Sequence, residues 1–212
     1  MSALTLTAKT VRQILSNTGL NSLERGAIAE AFSTLVTEIN AVPILDDPTL
    51  PTGAGAGITS GTGTVYKNSV QDVGGIIYTN ILIDLTGLAS STTDLDIIGV
   101  GASAAHLGQI TAAKNGTILS GRVTCLEVPA GGADDIDIYS ATEATGVFDA
   151  GIGTLAETAL LTSGGAWTLG QTKALSAVPA ANEYLYLVGG EVGTAATYTA
   201  GKFLIELQGY DA

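Results

Sequence analysis

Scarcity of charge constrains this chain more than any other feature. Only 13% of its 212 residues are charged, about half the share of an ordinary soluble domain. Ala, Gly, Thr and Ser together supply 99 positions. Much of any folded exterior must therefore be built from short, uncharged side chains. Monomers normally spread both charge signs over their surface. A chain that omits them is expected to hide part of its exterior against other copies or a larger assembly. Short side chains also lose little entropy when they are immobilised in a contact. The charges present are 8 basic against 20 acidic, a net of −12, which keeps unassembled copies apart.

The same scarcity excludes chemistry. Eight cations neutralise too few phosphates for a nucleic-acid face. Cys125 is the sole cysteine and His106 the sole histidine. No intrachain disulfide is then possible, and neither a Cys/His zinc site nor a triad with a His base has its parts. No acid, base and nucleophile set stands out, so no enzyme activity and no cofactor are expected. Thr5, Thr7, Lys9, Thr10, Arg12 and Gln13 interrupt the first twenty residues, which predicts no cleaved secretory signal. The longest apolar segment, 76–85, contains Thr79, Asn80 and Asp84 and falls short of the roughly 20 residues a spanning helix needs. No membrane partner is expected.

The chain changes character near residue 42. Residues 1–42 read as a helical N-terminal segment. Asn21 with Glu24 forms a capping-box pattern, and Leu23, Ala27, Ile28, Phe32, Leu35, Val36 and Ile39 follow at helical spacing. Pro43 ends that helix. Residues 43–63, rich in Pro, Gly, Thr and Ser, have linker composition. Residues 64–212 read as a body of many short strands, with best candidates at 65–68, 76–85, 95–100, 107–111, 118–128, 135–139, 184–188 and 202–208. Phe203, Ile205 and Leu207 alternate with Lys202, Leu204, Glu206 and Gln208 most clearly. Lys114-Asn115-Gly116-Thr117 is a hairpin signal. Residues 141–182 hold weak strands around Val147-Phe148 and Trp167-Leu169. The expected class is mainly β: a β-sandwich or jelly-roll-like body carrying an N-terminal helical arm.

Several constellations invite a functional reading, each beside a plainer one. Gly53-Ala54-Gly55-Ala56-Gly57 lacks the strand before and helix after that a phosphate cradle needs, and reads as flexible loop. Asp134, Asp135 and Asp137 suit a hard cation by chemistry, but on an alternating strand they read as a solvated face that discourages edge pairing. Trp167, Tyr184, Tyr186 and Tyr198 suit a carbohydrate platform, or a core and subunit contact. His106 and Cys125 read as structural residues. The stripe of Leu23, Ile28, Phe32, Leu35 and Ile39 must be covered, either by its own body or by a neighbouring subunit. The 21 residues of 43–63 extend to about 70 Å, so reach permits both. The stripe is taken as the partner or oligomer contact.

The helical N-terminal segment, the Gly/Ala/Thr-rich acidic β-body, the lack of cysteine pairs and the ending Thr197-Tyr198-Thr199-Ala200-Gly201-Lys202-Phe203-Leu204-Ile205 together resemble small virion proteins of tailed bacteriophages, of the capsid decoration (cement) type. The resemblance implies a homotrimer at local three-fold points of an icosahedral head. It also implies the major capsid protein as partner and a place on the capsid exterior after synthesis in the host cytoplasm. The function implied is mechanical: clamping capsid subunits against internal pressure. A tail, fibre or receptor-binding virion protein with a glycan-binding β-domain is the alternative expectation.

Overall fold

Period-two alternation dominates the chain after residue 64, and it folds into antiparallel strands. The computed structural model describes residues 23, 24, 27, 28, 30, 31, 49–193 and 195–211. The chain divides into two units, Met1–Asp46 and Asp47–Ala212. In the first, Leu23, Glu24, Ala27, Ile28, Glu30 and Ala31 are helical, as their spacing predicts. The other stripe residues, Phe32, Leu35 and Ile39, lie outside the described residues.

In the second unit the strands run, in chain order, β1 (Val65–Val73), β2 (Ile76–Asp84), β3 (Ala89–Ser90), β4 (His106–Gln109), β5 (Thr117–Ala130), β6 (Ile136–Ala141), β7 (Glu157–Leu161), β8 (Thr172–Ala174), β9 (Tyr184–Gly189), β10 (Ala196–Thr197) and β11 (Ala200–Tyr210). Two one-turn helices, α1 (Ala56–Thr59) and α2 (Ala112–Asn115), precede β1 and β5. One sheet has the order β1-β2-β11-β5-β8 and the other β4-β9-β6-β7, while β10 and β3 form a small ribbon. All pairings are antiparallel.

The larger sheet turns Ile77, Ile81 and Ile83 of β2, Phe203, Ile205 and Leu207 of β11, and Val123 and Cys125 of β5 inward. These join one buried cluster with Leu107, Ile136, Ile138, Leu160, Leu185 and Leu187 of the smaller sheet. The β11 alternation read from the sequence is thus the inward and outward face of a central strand.

Three local expectations differ from the structure. The Asn115-Gly116 pair makes no hairpin: α2 and Gly116 carry the chain from β4 in one sheet to β5 in the other. Asn115 is fully buried there. It accepts from the Thr111 amide at 2.9 Å and donates to Thr79 Oγ1 at 2.8 Å. Gly116 has φ 66°, and a Cβ at that position would sit 2.2 Å from the Tyr210 carbonyl oxygen. Long-range packing, not a local turn, selects this glycine. The segment 95–100 forms bridges, not a strand: Leu95 sits at φ 62°, and Asp96, Ile97 and Gly99 each bridge a different segment, at Gly151, Val188 and Ala89, while Ile98 donates to Leu187. Within 141–182 the strands are β7 and β8, with Val147 making only a bridge to Ala104.

The described part of the expected linker is packed. Leu50 and Ile58 are buried, and the amides of Gly55 and Gly57 donate to the carbonyls of His106 and Ala104 at 2.9 and 2.7 Å. A Cβ on Gly55 would lie 2.1 Å from the Ala104 oxygen. Glycine composition here serves close backbone approach, which looks the same as flexibility in a bare sequence. We expect Gly55→Ala to lower stability by about 2 kcal/mol or more, while Gly53→Ala, with open space around it, stays within about 0.5 kcal/mol. Urea unfolding of the two variants checks this; equal, negligible effects would restore the flexible-linker reading.

Candidate interaction surface

Pairing registers fix which side chains share the outward face of the larger sheet. Lys202 on β11 stands opposite Asp84 on β2 and Glu127 on β5. Its ammonium lies 3.2 Å from Asp84 Oδ2 and 3.5 Å from Glu127 Oε2. The next outward β11 row but one pairs Glu206 with Arg122. Arg122 donates twice, from Nε at 2.6 Å and Nη2 at 2.9 Å. Thr124 and Thr172 hydroxyls meet at 2.9 Å, and Ser120 donates to Gln208 at 3.3 Å. At the far end Val73, Ile76, Tyr78 and Tyr210 are exposed.

These ion pairs set the local proton affinities. The bidentate bond from Arg122 holds the Glu206 carboxyl below its usual range and raises the guanidinium in turn. Burial pushes Asp84 up, but the Thr86 hydroxyl and amide together with Lys202 outweigh it and leave the carboxyl lowered. Asp84 raises Lys202. Exposed pairs of this kind add little stability. They do neutralise the cations within the face, so that its middle is polar with little free charge and its far end apolar. A shallow depression of about 210 Å³ between Arg122, Glu206, Gln208 and Ala174 is part of this face. A more apolar groove of about 300 Å³ lies between Ile118 and the Val178–Ala181 segment.

The acidic cluster is not a solvated face. Asp135 and Asp137 are 5% and 4% exposed, because β6 is an internal strand and its whole length is buried on both sides. Ser163 holds both carboxylates: its amide donates to Asp137 at 2.5 Å and its hydroxyl donates to Asp135. Lys173 donates to the Ser163 carbonyl at 2.6 Å. Burial pushes the Asp137 carboxyl up, with Asp135 and Asp94 adding repulsion. Asp134 is exposed and shares a hydrogen bond with Glu191, raising the latter. Among the described residues no three acidic, His or Cys side chains converge as a metal site.

The aromatic platform is likewise replaced by core. Trp167 is 1% exposed. Its indole donates to the Ile136 carbonyl at 2.9 Å, meets Phe203 edge-on at 5.2 Å and carries the Lys173 ammonium 4.4 Å above the ring. Tyr186 and Tyr198 are buried with their hydroxyls donating to the Glu143 and Ala133 carbonyls at 2.7 and 2.9 Å. Tyr184 is half-buried against His106, with ring centroids 4.9 Å apart. Cys125 is buried, and burial pushes its thiol up. His106 is buried as well, but its Nδ1 has no hydrogen-bond partner. Burial pushes this imidazole below the usual histidine range.

Sequence reading missed Ser163, which holds the buried acids, and Lys173, which holds Ser163, because the first lies on a loop and the second on the three-residue β8, neither with a periodic signal. It also missed the Arg122–Glu206 and Lys202 rows. Alternation puts each residue on a face, but only the register between distant strands tells which charges meet. No protein family matches the chain, and neither a curated protein nor a solved structure matches it significantly.

Trp167→Ala is expected to cost about 3–5 kcal/mol, as for a buried large aromatic; chemical denaturation reads it, and a loss under about 1 kcal/mol would return the ring to the surface. For His106 the sign follows from its lowered value. The unfolded chain takes the proton first, so stability falls as pH drops below the ordinary histidine value of about 6.5. His106→Phe keeps a ring against Tyr184 and should lose less stability than wild type between pH 7 and pH 5. The raised Asp137 acts in the opposite sense in both proteins and cancels in the difference.

Proposed function

We propose that the chain is a structural virion protein of the head-decoration (cement) type, a homo-oligomer that binds the major capsid protein on the outside of the shell and stabilises it. On this reading the two antiparallel sheets are the layers of a sandwich or jelly-roll-like body, and residues 1–42 are a helical arm that reaches a partner subunit. The homotrimer is the form the resemblance to phage decoration proteins implies.

The outward face of the larger sheet carries the proposal. It presents Thr, Ser and Gln side chains of β5, β8 and β11 and internally paired charges across β2, β11 and β5, beside exposed Ile76, Tyr78 and Tyr210 at one end. Such a surface suits docking by many weak contacts. Short or already-paired side chains lose little entropy on contact, and repetition by symmetry turns weak contacts into avidity. The groups first picked out as chemistry support the same reading by their placement. Trp167, Tyr186, Tyr198, Asp135 and Asp137 are all spent on the core. A glycan-binding role for this domain loses the aromatic platform that motivated it.

Co-sedimentation with undecorated heads of the phage that carries the gene tests the proposal. The expected result is saturable binding in a fixed ratio to the major capsid protein, with a higher temperature of head disruption. Absence of binding would overturn it. Deleting residues 1–42 should leave unfolding of the body unchanged, since its buried cluster spans Leu50 to Leu207, and should weaken head binding.

A further inference from the structure

Sheet edges in this protein are treated unequally. β8 is only three residues long. β4 is covered by the 52–55 segment, with Gly55 donating to the His106 carbonyl and Gln109 donating to that of Thr52. On β7 the Leu160 carbonyl accepts from the amides of Ser176 and Ala177. β1 is the exception. It runs nine residues in unbroken register with β2, without a bulge or a proline. Among the described residues its backbone bonds to nothing except β2. Long, regular and unprotected edges are templates for another strand, and natural proteins blunt them unless they are used.

The strand is also fixed from within. Tyr66 donates to the Leu107 carbonyl, Asn68 donates to the Tyr66 hydroxyl at 3.0 Å, and Asn68 accepts from the Leu50 amide at 2.7 Å. Asp72 accepts from the Gly75 amide at 2.8 Å and closes the turn to β2. The edge is therefore held in shape before any partner arrives, which lowers the ordering cost of pairing.

We infer that β1 pairs antiparallel with β1 of a second copy of this chain, about a two-fold axis at Ser69, joining two five-stranded sheets into one. This inference does not depend on the head-decoration reading. Three observations favour a second copy over another partner. First, the outward row Val65, Lys67, Ser69, Gln71 and Val73 reads nearly the same in both directions. The pairing sets Val65, 40% exposed, against Val73 of the second copy, 61% exposed, at both ends of the contact. It sets Lys67 against Gln71, and Ser69 against itself. Second, Lys67 and Asp72 are the only charges between residues 65 and 83. β1 itself, with one Lys and one Asp, is neutral within an acidic chain of net charge −12, and Asp84 at the end of β2 is paired with Lys202, so two copies meet along β1 with little added repulsion. Third, antiparallel pairing about Ser69 sets Lys67 against Gln71 and Asp72 against Tyr66, whereas parallel in-register pairing would stack Lys67 on Lys67 and Asp72 on Asp72. An isologous contact of this kind closes on itself and does not propagate into a fibre.

Sedimentation velocity on the full chain at tens of micromolar tests the contact. The expected mass is an even number of chains, six where the three-fold decoration assembly forms as well. Ser69→Lys and Ser69→Glu each place like charges across the axis and should halve that mass. Mixing the two variants should restore it, with one of each in every pair. A wild-type mass of one or three chains, a Ser69→Lys mass equal to wild type, or failure of the mixed, folded variants to pair would each overturn the inference. If a variant does not fold, amide exchange on the wild type decides. Protection within 65–73 that rises with protein concentration supports the contact, and protection independent of concentration sinks it. Head binding by a chain that never pairs would remove this contact alone and leave the decoration reading standing.

Discussion

Placement of the last strand in the middle of the larger sheet governs this structure. β11 pairs with β2 on one side and β5 on the other. Its inward residues Phe203, Ile205 and Leu207 are all about 1% exposed. Phe203 receives Trp167 from the loop beyond β7, and Trp167 in turn bonds β6 in the other sheet. One strand thus ties together segments that are far apart in sequence. The loop-closure entropy of those distant pairings must be met before the core rewards them. The larger sheet cannot be completed until the C-terminal residues are in place.

Small residues make that arrangement possible and leave it little slack. Gly55 lies against the Ala104 carbonyl and Gly116 against that of Tyr210, each at a separation where a Cβ would collide. Backbones packed this closely leave few large side chains to fill the interior, so each aromatic matters. Trp167, Tyr186 and Tyr198 also bring polar atoms inside, and each finds a backbone carbonyl. Asp135 and Asp137 follow the same rule through Ser163. His106 Nδ1 breaks it, and burial disfavours the charged form of that ring.

The exterior follows from the same economy of charge. Lys202 and Arg122 are held in cross-strand ion pairs, and Lys173 lies over an indole. The cations of these strands are engaged within the molecule, and the acids give the chain its net repulsion. A surface of this kind discourages indiscriminate association at long range, while its short side chains permit close contact where geometry matches. β1 is neutral, and among the described residues its backbone pairs only with β2.

The sequence by itself determined the strand-rich character of residues 64–212, the faces of β11 and the shortage of reactive groups, because alternation and composition are local properties. It also marked β6 by its Ile-Asp alternation. It assigned those aspartates to solvent because alternation assumes one wet face, and β6 is wet on neither. The Gly-rich run and the Asn-Gly pair were legible as glycine positions but not as to purpose, since a flexible loop and a tight backbone contact require the same residue. Which strands are neighbours, which charges face each other and which edge stays unpaired were decided only by the tertiary structure. Those facts belong to pairs of residues tens to more than a hundred positions apart, and no local pattern carries the register that joins them.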